Sequence, residues 1–325
     1  MKIAIVGAGI VGSTAAYYLS KEKDVEVTVF DHGLGQATKA AAGIISPWFS
    51  KRRNKAWYRM ARLGADFYQD LVSDLENDGY DTSFYDQSGV ALLKKDDSKL
   101  DGLYQHAETR LAESPIIGEL SIKNVADLPE FTGFDRYLYA SGGARVEGAE
   151  LTSTLIEASG FEKVEGLVIL SPLDNGTYEI NGQTFDKVIL ACGAWLGQTL
   201  EPLGFDVDVR PQKGQLRDYF FEGMDTGRLP VLMPEGELDV IPFAGGKISV
   251  GASHENDQGF DLTVDETVLA SLEEEAKTYF PDLSTAKSFS ERVGTRAYTS
   301  DFSPFFGEVP ELEGVFVASG LGSSG

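Results

Sequence analysis

The sequence predicts an α/β (α+β) protein of two domains, in which a parallel, nucleotide-binding type of sheet is interrupted by a mainly antiparallel one. Three observations predict it. Residues 1–31 read strand, glycine turn, helix, strand, acid. Apolar strands running into small-residue turns recur at 185–195 and 314–320. The long stretches between these segments look antiparallel.

In the opening unit, Ile3 to Val6 form a continuous apolar run, as a strand buried on both faces does. Gly7, Gly9 and Gly12 follow at G-x-G-x-x-G spacing. Ala15, Ala16 and Leu19 then recur at helical spacing, and Val25 to Phe30 lead to Asp31. Between a strand and a helix this motif has a mechanism. Gly7 permits the tight turn, Gly9 lets a pyrophosphate approach the backbone, and Gly12 lets helix and strand pack closely. The helix N-terminus offers N–H groups and a positive dipole end to phosphate. Asp31 is placed to accept from ribose hydroxyls. An acid there disfavours a 2′-phosphate, which leaves NAD and FAD for a Rossmann-like domain.

After Asp31, Gly33, Gly35, Gly43 and the run Ala40 to Ala42 suggest backbone close to a ligand. Residues 56–77 carry Trp57, Met60, Leu63, Phe67, Leu71 and Leu75 as one apolar stripe, which predicts a helix of about six turns ended by Asp78-Gly79. Strands are expected within 80–95, helix over most of 96–128, strands within 131–147, and a helix from Leu151 to Ser159. Strands Val164 to Leu170 and Gly176 to Ile180 are joined by an Asp174-Asn175-Gly176 turn. Phe185 to Trp195 returns to the parallel pattern, followed by helix Leu196 to Leu203. Residues 207–254 read as antiparallel strands, Thr267 to Phe280 as a helix stopped by Pro281, and Gly314 to Gly320 as a closing strand. The nucleotide-binding domain is therefore expected at 1–83, 145–210 and 285–325, and the substrate-binding domain at 84–144 and 211–284.

The formal net charge of −23 speaks against nucleic acid or an anionic membrane as partner. Its plain reading is solubility. No apolar stretch reaches the roughly 20 residues of a membrane helix. The chain opens directly on a buried strand, so a cytoplasmic protein is expected. The single cysteine, Cys192, excludes an internal disulfide. His32, His106 and His254 show no ligand spacing, and no metal site is expected.

Eight segments, in order, resemble the D-amino-acid oxidase (DAO) family of FAD-dependent oxidoreductases, with a pattern like that of glycine oxidase and D-amino-acid dehydrogenase. They are IAIVGAGIVGSTAAYYL with Asp31, TKAAAGI at 38–44, GARVEGAEL at 143–151, FDKVILACGAW at 185–195, VRPQKGQL at 209–216, VIPFAGGKISVGAS at 240–253, VGTRAYTSDFSPFFG at 293–307 and GVFVASGLGSSG at 314–325. The resemblance implies FAD, held non-covalently, rather than NAD. It puts Gly7, Gly9, Ile10, Val11, Gly12, Asp31 and His32 at the ADP half, and Thr38, Ala42, Gly43 and Ile44 near the pyrophosphate and flavin. It puts Val168, as a strand residue, at the adenine, and Ala191, Gly193 and Trp195 on a second pass beside the cofactor. Gly320, Gly322, Ser323, Ser324 and Gly325 are then the closing turn at the flavin's pyrimidine end, where backbone N–H groups stabilise the charge of reduced flavin.

On the substrate side the resemblance makes Arg296 the clamp for a substrate carboxylate, a role that suits a guanidinium with two parallel donors. A surface salt bridge from Arg296 to Asp301 is the plain alternative. Arg292 is a poorer fit. Tyr298 either hydrogen-bonds substrate or packs, and Lys213 and Gln215 are expected near the domain junction. Asp239 stands where glycine oxidase-like proteins often carry tyrosine. It either pairs with a substrate ammonium or a second cation, or faces solvent. Leu321 replaces the usual histidine of the last turn. Family members continue from that turn into a helix, so a truncated chain is expected.

The implied reaction is oxidation of the C–N bond of a small amino acid or secondary amine by hydride transfer to flavin N5. The resulting imine hydrolyses, and oxygen or an electron-transfer partner is the acceptor. A homo-oligomer is left open. The alternatives are a flavin-dependent 2-hydroxy acid or polyol dehydrogenase and a non-catalytic flavin-binding subunit. An NAD-dependent dehydrogenase gives the later segments no role.

Overall fold

The computed structural model describes residues 1–52, 54–96 and 98–324. One sheet has six strands in the order 305–308, 315–319, 187–190, 2–6, 26–31 and 162–165. All neighbours are parallel except the hairpin that adds Phe305–Glu308 at one edge. Its central strands come from three distant parts of the chain, as the recurrence of the strand-and-turn pattern predicts. Alternation within Ile3 to Val6 explains the continuous apolar run. Ile3 and Ile5 face the helices Ile10–Leu19 and Gly148–Ser159, while Ala4 and Val6 face Leu170, Tyr178, Ile180 and Phe185. Those four belong to a three-stranded antiparallel sheet on the opposite side.

The second large sheet has eight strands in the order 288–298, 210–220, 247–251, 239–243, 231–233, 90–92, 136–140 and 120–124. Only the pairing of 231–233 with 90–92 is parallel. One face packs against helix Glu266–Tyr279 through Leu272 and Ala276, and against Phe280 just beyond its end. The other packs against Trp48 and Phe49 and against helix Ser98–Glu108 through Leu100, Leu103 and Ala107. Among the described residues no helix is long and apolar enough to cross a membrane.

Several expectations need correction. Val168 is not on a strand: Gly166 takes φ +137° and ends Glu162–Glu165, so Val168 lies in the connection to Leu170–Pro172. Residues 120–124 form an edge strand rather than helix; Leu120 and Ile122 are only half-buried, so alternation is faint in the sequence. Helix Lys55–Asn77 forms where expected, with Asn54 accepting from Trp57 N at 3.0 Å. Its buried stripe, however, is Trp57, Ala65, Leu71 and Leu75; Leu63 and Phe67 are exposed. Strand Ser288–Tyr298 pairs along its length with Arg210–Phe220, and so belongs to the large antiparallel sheet although it falls within 285–325.

Candidate active site

The three motif glycines are required for different reasons. A Cβ at Gly7, which has φ +102°, would strike the Ala191 carbonyl, and one at Gly12 would strike the Gly7 carbonyl. Those two are fixed by the contact of the first strand, the first helix and the second pass. At Gly9 the nearest atom is Thr38 Oγ1 at 3.5 Å, an ordinary contact. The protein's own packing does not demand glycine there, whereas a phosphate lying against the backbone does. No side chain caps the helix at Gly9, and the only first-turn donor engaged by a side chain is Ile10 N, which donates to Thr38 Oγ1 at 3.1 Å. Val11 continues this first turn.

Asp31 is buried and accepts from Ala8 N at 3.0 Å and from Gln36 Nε2 at 2.7 and 2.5 Å. Gln36 Oε1 is itself buried without a partner. A carboxylate has lone pairs left after these bonds, so this corner holds two acceptors suited to ribose hydroxyls. His32, next along, is exposed.

Segment 38–44 is held between the two large sheets. A Cβ at Gly43 would strike the Val146 carbonyl, and one at Gly148 the Thr38 carbonyl. Ala42 and Ile44 pack against the core beneath the eight-stranded sheet. Arg292 Nη1 donates to the Ala41 carbonyl at 2.9 Å, and its Nη2 donates to Asp218 Oδ1 at 2.8 Å and Ser249 Oγ at 3.0 Å. Arg292 is thus a tie for this segment, which explains its poor fit as a substrate ligand. Arg292→Met leaves Asp218 buried beside Lys247 with its close partner gone. The expected loss is roughly 3 kcal/mol of stability, measured by chemical denaturation; an unchanged midpoint would show that the tie carries no load.

The second pass leaves the strand at Ala191, whose N donates to the Val6 carbonyl at 2.8 Å. Gly193 has φ +56°, and Trp195 packs on Phe260 at 4.9 Å between ring centres. Burial pushes the Cys192 thiol up to about 12, which makes it a structural rather than reactive cysteine. The closing turn runs past Gly320, whose added Cβ would meet the Thr299 methyl, to Gly322, which lies beside the Ala297 carbonyl. It continues through Ser323 into a short turn that includes Ser324. Gly325 lies outside the described residues.

Arg296 occupies the same face of the large sheet as Gly214, Gly294 and Arg292. Its Nη1 donates to the Ser253 carbonyl at 2.8 Å. A Cβ at Gly214 would come within 2.6 Å of the guanidinium carbon, so the guanidinium lies flat over a glycine. Among the described residues no carboxylate stands within ion-pair distance of Arg296. Asp301 instead accepts from Ser303 N at 2.9 Å and Thr299 Oγ1 at 3.2 Å, so the expected alternative bridge does not form. Burial pulls the guanidinium below its usual value, and Glu237 and Glu255 act against this from farther off. His254 Nδ1 is 3.6 Å from Glu237 Oε1; burial and Arg296 lower its imidazole, which favours the neutral ring.

Tyr298 packs edge-on against Phe302 at 4.8 Å. Lys213 is tied to Asp261 Oδ2 at 2.9 Å, and Gln215 to Glu255 Oε1 at 2.8 Å, which occupies both. Asp239 begins strand Asp239–Phe243 opposite Gly251 and, among the described residues, has no hydrogen-bond or ion-pair partner. No group of three or more His, Cys, Asp or Glu among the described residues is placed to hold a metal.

The sequence profile of the DAO family, FAD dependent oxidoreductase, matches residues 2–325. The chain belongs to this family. It is 38% identical over 336 residues to the uncharacterized oxidoreductase YurR of Bacillus subtilis (strain 168), across 99% of this chain and 90% of that protein. It is 29% identical over 333 residues to a glycine oxidase of Pseudomonas aeruginosa, across 98% and 89%. The crystal structure of iminodiacetate oxidase (IdaA) from Chelativorans sp. BNC1 superposes with a TM-score of 0.93 at 29% identity, covering 99% of this chain and 90% of that one. That of glycine oxidase from Geobacillus kaustophilus gives 0.84 at 23% identity with the same coverages, a likeness of fold.

This DAO-family chain is therefore an enzyme and an FAD-dependent oxidoreductase with a two-domain α/β fold. The residues present fit FAD: the open position at Gly9, the helix start without a capping side chain at Gly9, and the unpartnered Gln36 Oε1 beside Asp31 all suit a dinucleotide. Sequence reasoning missed Gly214 and Ser253, which lie against Arg296, and Gln36, which donates to Asp31. Glycine inside a strand was the available signal for the first, since it marks a close approach. Ser253 acts through its carbonyl and gives no side-chain signal.

Proposed function

We propose that this enzyme oxidises the C–N bond of a small amino acid or carboxylate-bearing secondary amine. The observation that carries the reading is the unpaired Arg296 guanidinium lying over Gly214. A half-buried, partly desolvated cation gains when an anion arrives, and a substrate carboxylate meets that need. FAD, when bound, supplies a two-electron acceptor for the hydride. Ser253 and Gly214 fix the plane of the guanidinium, and Arg296 then fixes the carboxylate and the α-carbon attached to it. Gly9, the first helix and Asp31 are proposed to hold the ADP half, and Thr38, Ala42, Gly43 and Ile44 the pyrophosphate and flavin side. Val168, beyond the end of an edge strand, is proposed for the adenine side. Ala191, Gly193, Trp195 and the turn from Gly320 to Ser324 are proposed to line the cofactor, and the Cys192 thiol, pushed up by desolvation, supports non-covalent attachment. Iminodiacetate oxidase and glycine oxidase, both similar to this chain, are named for substrates of this class.

Anaerobic titration of the flavinated protein with glycine, sarcosine, iminodiacetate, D-amino acids, L-proline and 2-hydroxy acids tests the reading. Bleaching of the flavin bands by one class of carboxylate-bearing amine is the expected result. Bleaching by 2-hydroxy acids alone, or by none of the panel, would overturn it.

A further inference from the structure

We propose that the Ser253 hydroxyl, held by Glu255, is a positioning group for Arg296: it takes the place of the Ser253 carbonyl in the sheet ladder and so frees that carbonyl to hold the guanidinium. This deepens the function proposed above and rests on it.

The register shows the exchange. Strand Lys247–Gly251 runs beside Arg210–Phe220, with Gly251 opposite Leu216. Beyond it the chain stays alongside, and Glu255 bridges Lys213. Those two exchange both backbone bonds, Lys213 N donating to the Glu255 carbonyl at 3.1 Å and Glu255 N to the Lys213 carbonyl at 2.9 Å. The pleat makes Gln215 and Ser253 the next pair of this kind. Ser253 N does donate to the Gln215 carbonyl, at 3.0 Å. The return bond is replaced: Gln215 N donates to Ser253 Oγ at 3.0 Å. The Ser253 carbonyl, released from the ladder, accepts from Arg296 Nη1 at 2.8 Å, whereas the other acceptors of that nitrogen, Gln212 Oε1 and the Lys213 carbonyl, stand at 3.5 Å. Leu216 faces Gly251 and Gln215 faces Ser253, so Ala252 is an extra residue, a bulge of the kind that re-aims the groups beside it.

A hydroxyl suits this place because it accepts and donates at once. Ser253 Oγ accepts from Gln215 N and passes its own proton to Glu255 Oε1 at 2.5 Å. Gln215 Nε2 donates to the same carboxylate oxygen at 2.8 Å, which holds Glu255 in place. Ser253 and Gln215 are buried, so without the hydroxyl Gln215 N has no water to turn to. The acceptor left to it is the Ser253 carbonyl, and a return of that carbonyl to the ladder takes the nearest acceptor away from Arg296. The guanidinium then loses the tie that fixes its plane over Gly214, and with it the geometry that receives a carboxylate.

The test uses holoenzyme and two probes: sarcosine, or the best amine of the panel, for kinetics, and acetate, a carboxylate without an amine, for binding read from the perturbed flavin spectrum. Ser253→Ala is expected to raise the KM for the amine and the Kd for acetate by roughly fivefold or more, with FAD affinity changed by less than about twofold. Glu255→Ala should do the same, and serves if Ser253→Ala does not fold. Glu255→Gln keeps an oxygen with two lone pairs and removes a negative charge that acts on Arg296, so it should bind acetate at least as tightly as wild type. In an Arg296→Ala background, Ser253→Ala should lower kcat/KM no further, because a group that acts through Arg296 has nothing left to position. An equal loss with and without Arg296, no loss in either Ser253→Ala or Glu255→Ala, or a Glu255→Gln protein as defective as Glu255→Ala overturns the positioning role. Acetate binding that survives Arg296→Ala unchanged overturns the carboxylate clamp itself, so the two failures are distinguishable.

Discussion

Arg296→Ala is expected to raise the KM for a carboxylate-bearing amine by roughly tenfold or more, at least about 1.4 kcal/mol of lost transition-state stabilisation, while the protein keeps its flavin. Among the described residues the guanidinium pairs with no carboxylate, so its removal orphans none of their anions and the fold should tolerate the change. Steady-state kinetics with the best amine of the panel measure it, and an unchanged KM removes the clamp. Arg296→Lys keeps the charge but loses the planar fork, and should stay defective. Gly214→Ala offers an independent check. Its methyl would occupy the space under the guanidinium, displacing the clamp without touching its charge, and should raise the KM in the same direction.

Gly9→Val is expected to abolish FAD retention while leaving the folded apoprotein. The nearest atom to a Cβ there is a side-chain oxygen at 3.5 Å, so the chain itself has room. The lost space is where a pyrophosphate would meet the backbone. Loss of affinity by roughly a hundredfold, near 2.7 kcal/mol, should appear in FAD titration of the apoprotein. Gly12→Val is the contrasting variant. Its side chain meets the Gly7 carbonyl at once and should prevent folding altogether. A normally flavinated Gly9→Val protein would undo the proposed cofactor cradle.

The contrast between these two glycines also shows what a sequence makes legible. The G-x-G-x-x-G spacing, the flanking apolar runs and Asp31 are all local, and each has a physical reason visible within residues 1–31. The return of the strand-and-turn pattern at 185–195 and 314–320 is equally local, whereas the edge strand 305–308 of the six-stranded sheet left no such mark. The strand Ser288–Tyr298 is harder to see. Its first three residues are exposed, and one of its faces carries Arg292, Gly294 and Arg296 where a strand ordinarily carries apolar side chains. Arg292 and Arg296 sit four residues apart on one face, yet one binds backbone of segment 38–44 and the other donates to the Ser253 carbonyl. Only the partners that folding brings to each, Asp218 and Ala41 for one, Ser253 and Gly214 for the other, separate the two roles. Val168 is misplaced for a simpler reason, since a glycine two residues earlier takes a positive φ and lets the chain leave the sheet.

The bonds around segment 144–148 tie it to the large sheet. Arg145 is almost wholly buried and donates to Asp86 Oδ2 at 2.6 Å and to the carbonyls of Gly227, Leu229 and Pro242. Two residues on, Glu147 pairs with Lys247 of the large sheet. Arg292 fastens that sheet to Ala41. Moving the large sheet away from these segments would break all three attachments together and separate ionic partners. The large sheet is therefore fastened to its neighbours by charged and hydrogen-bonded ties as well as by apolar packing.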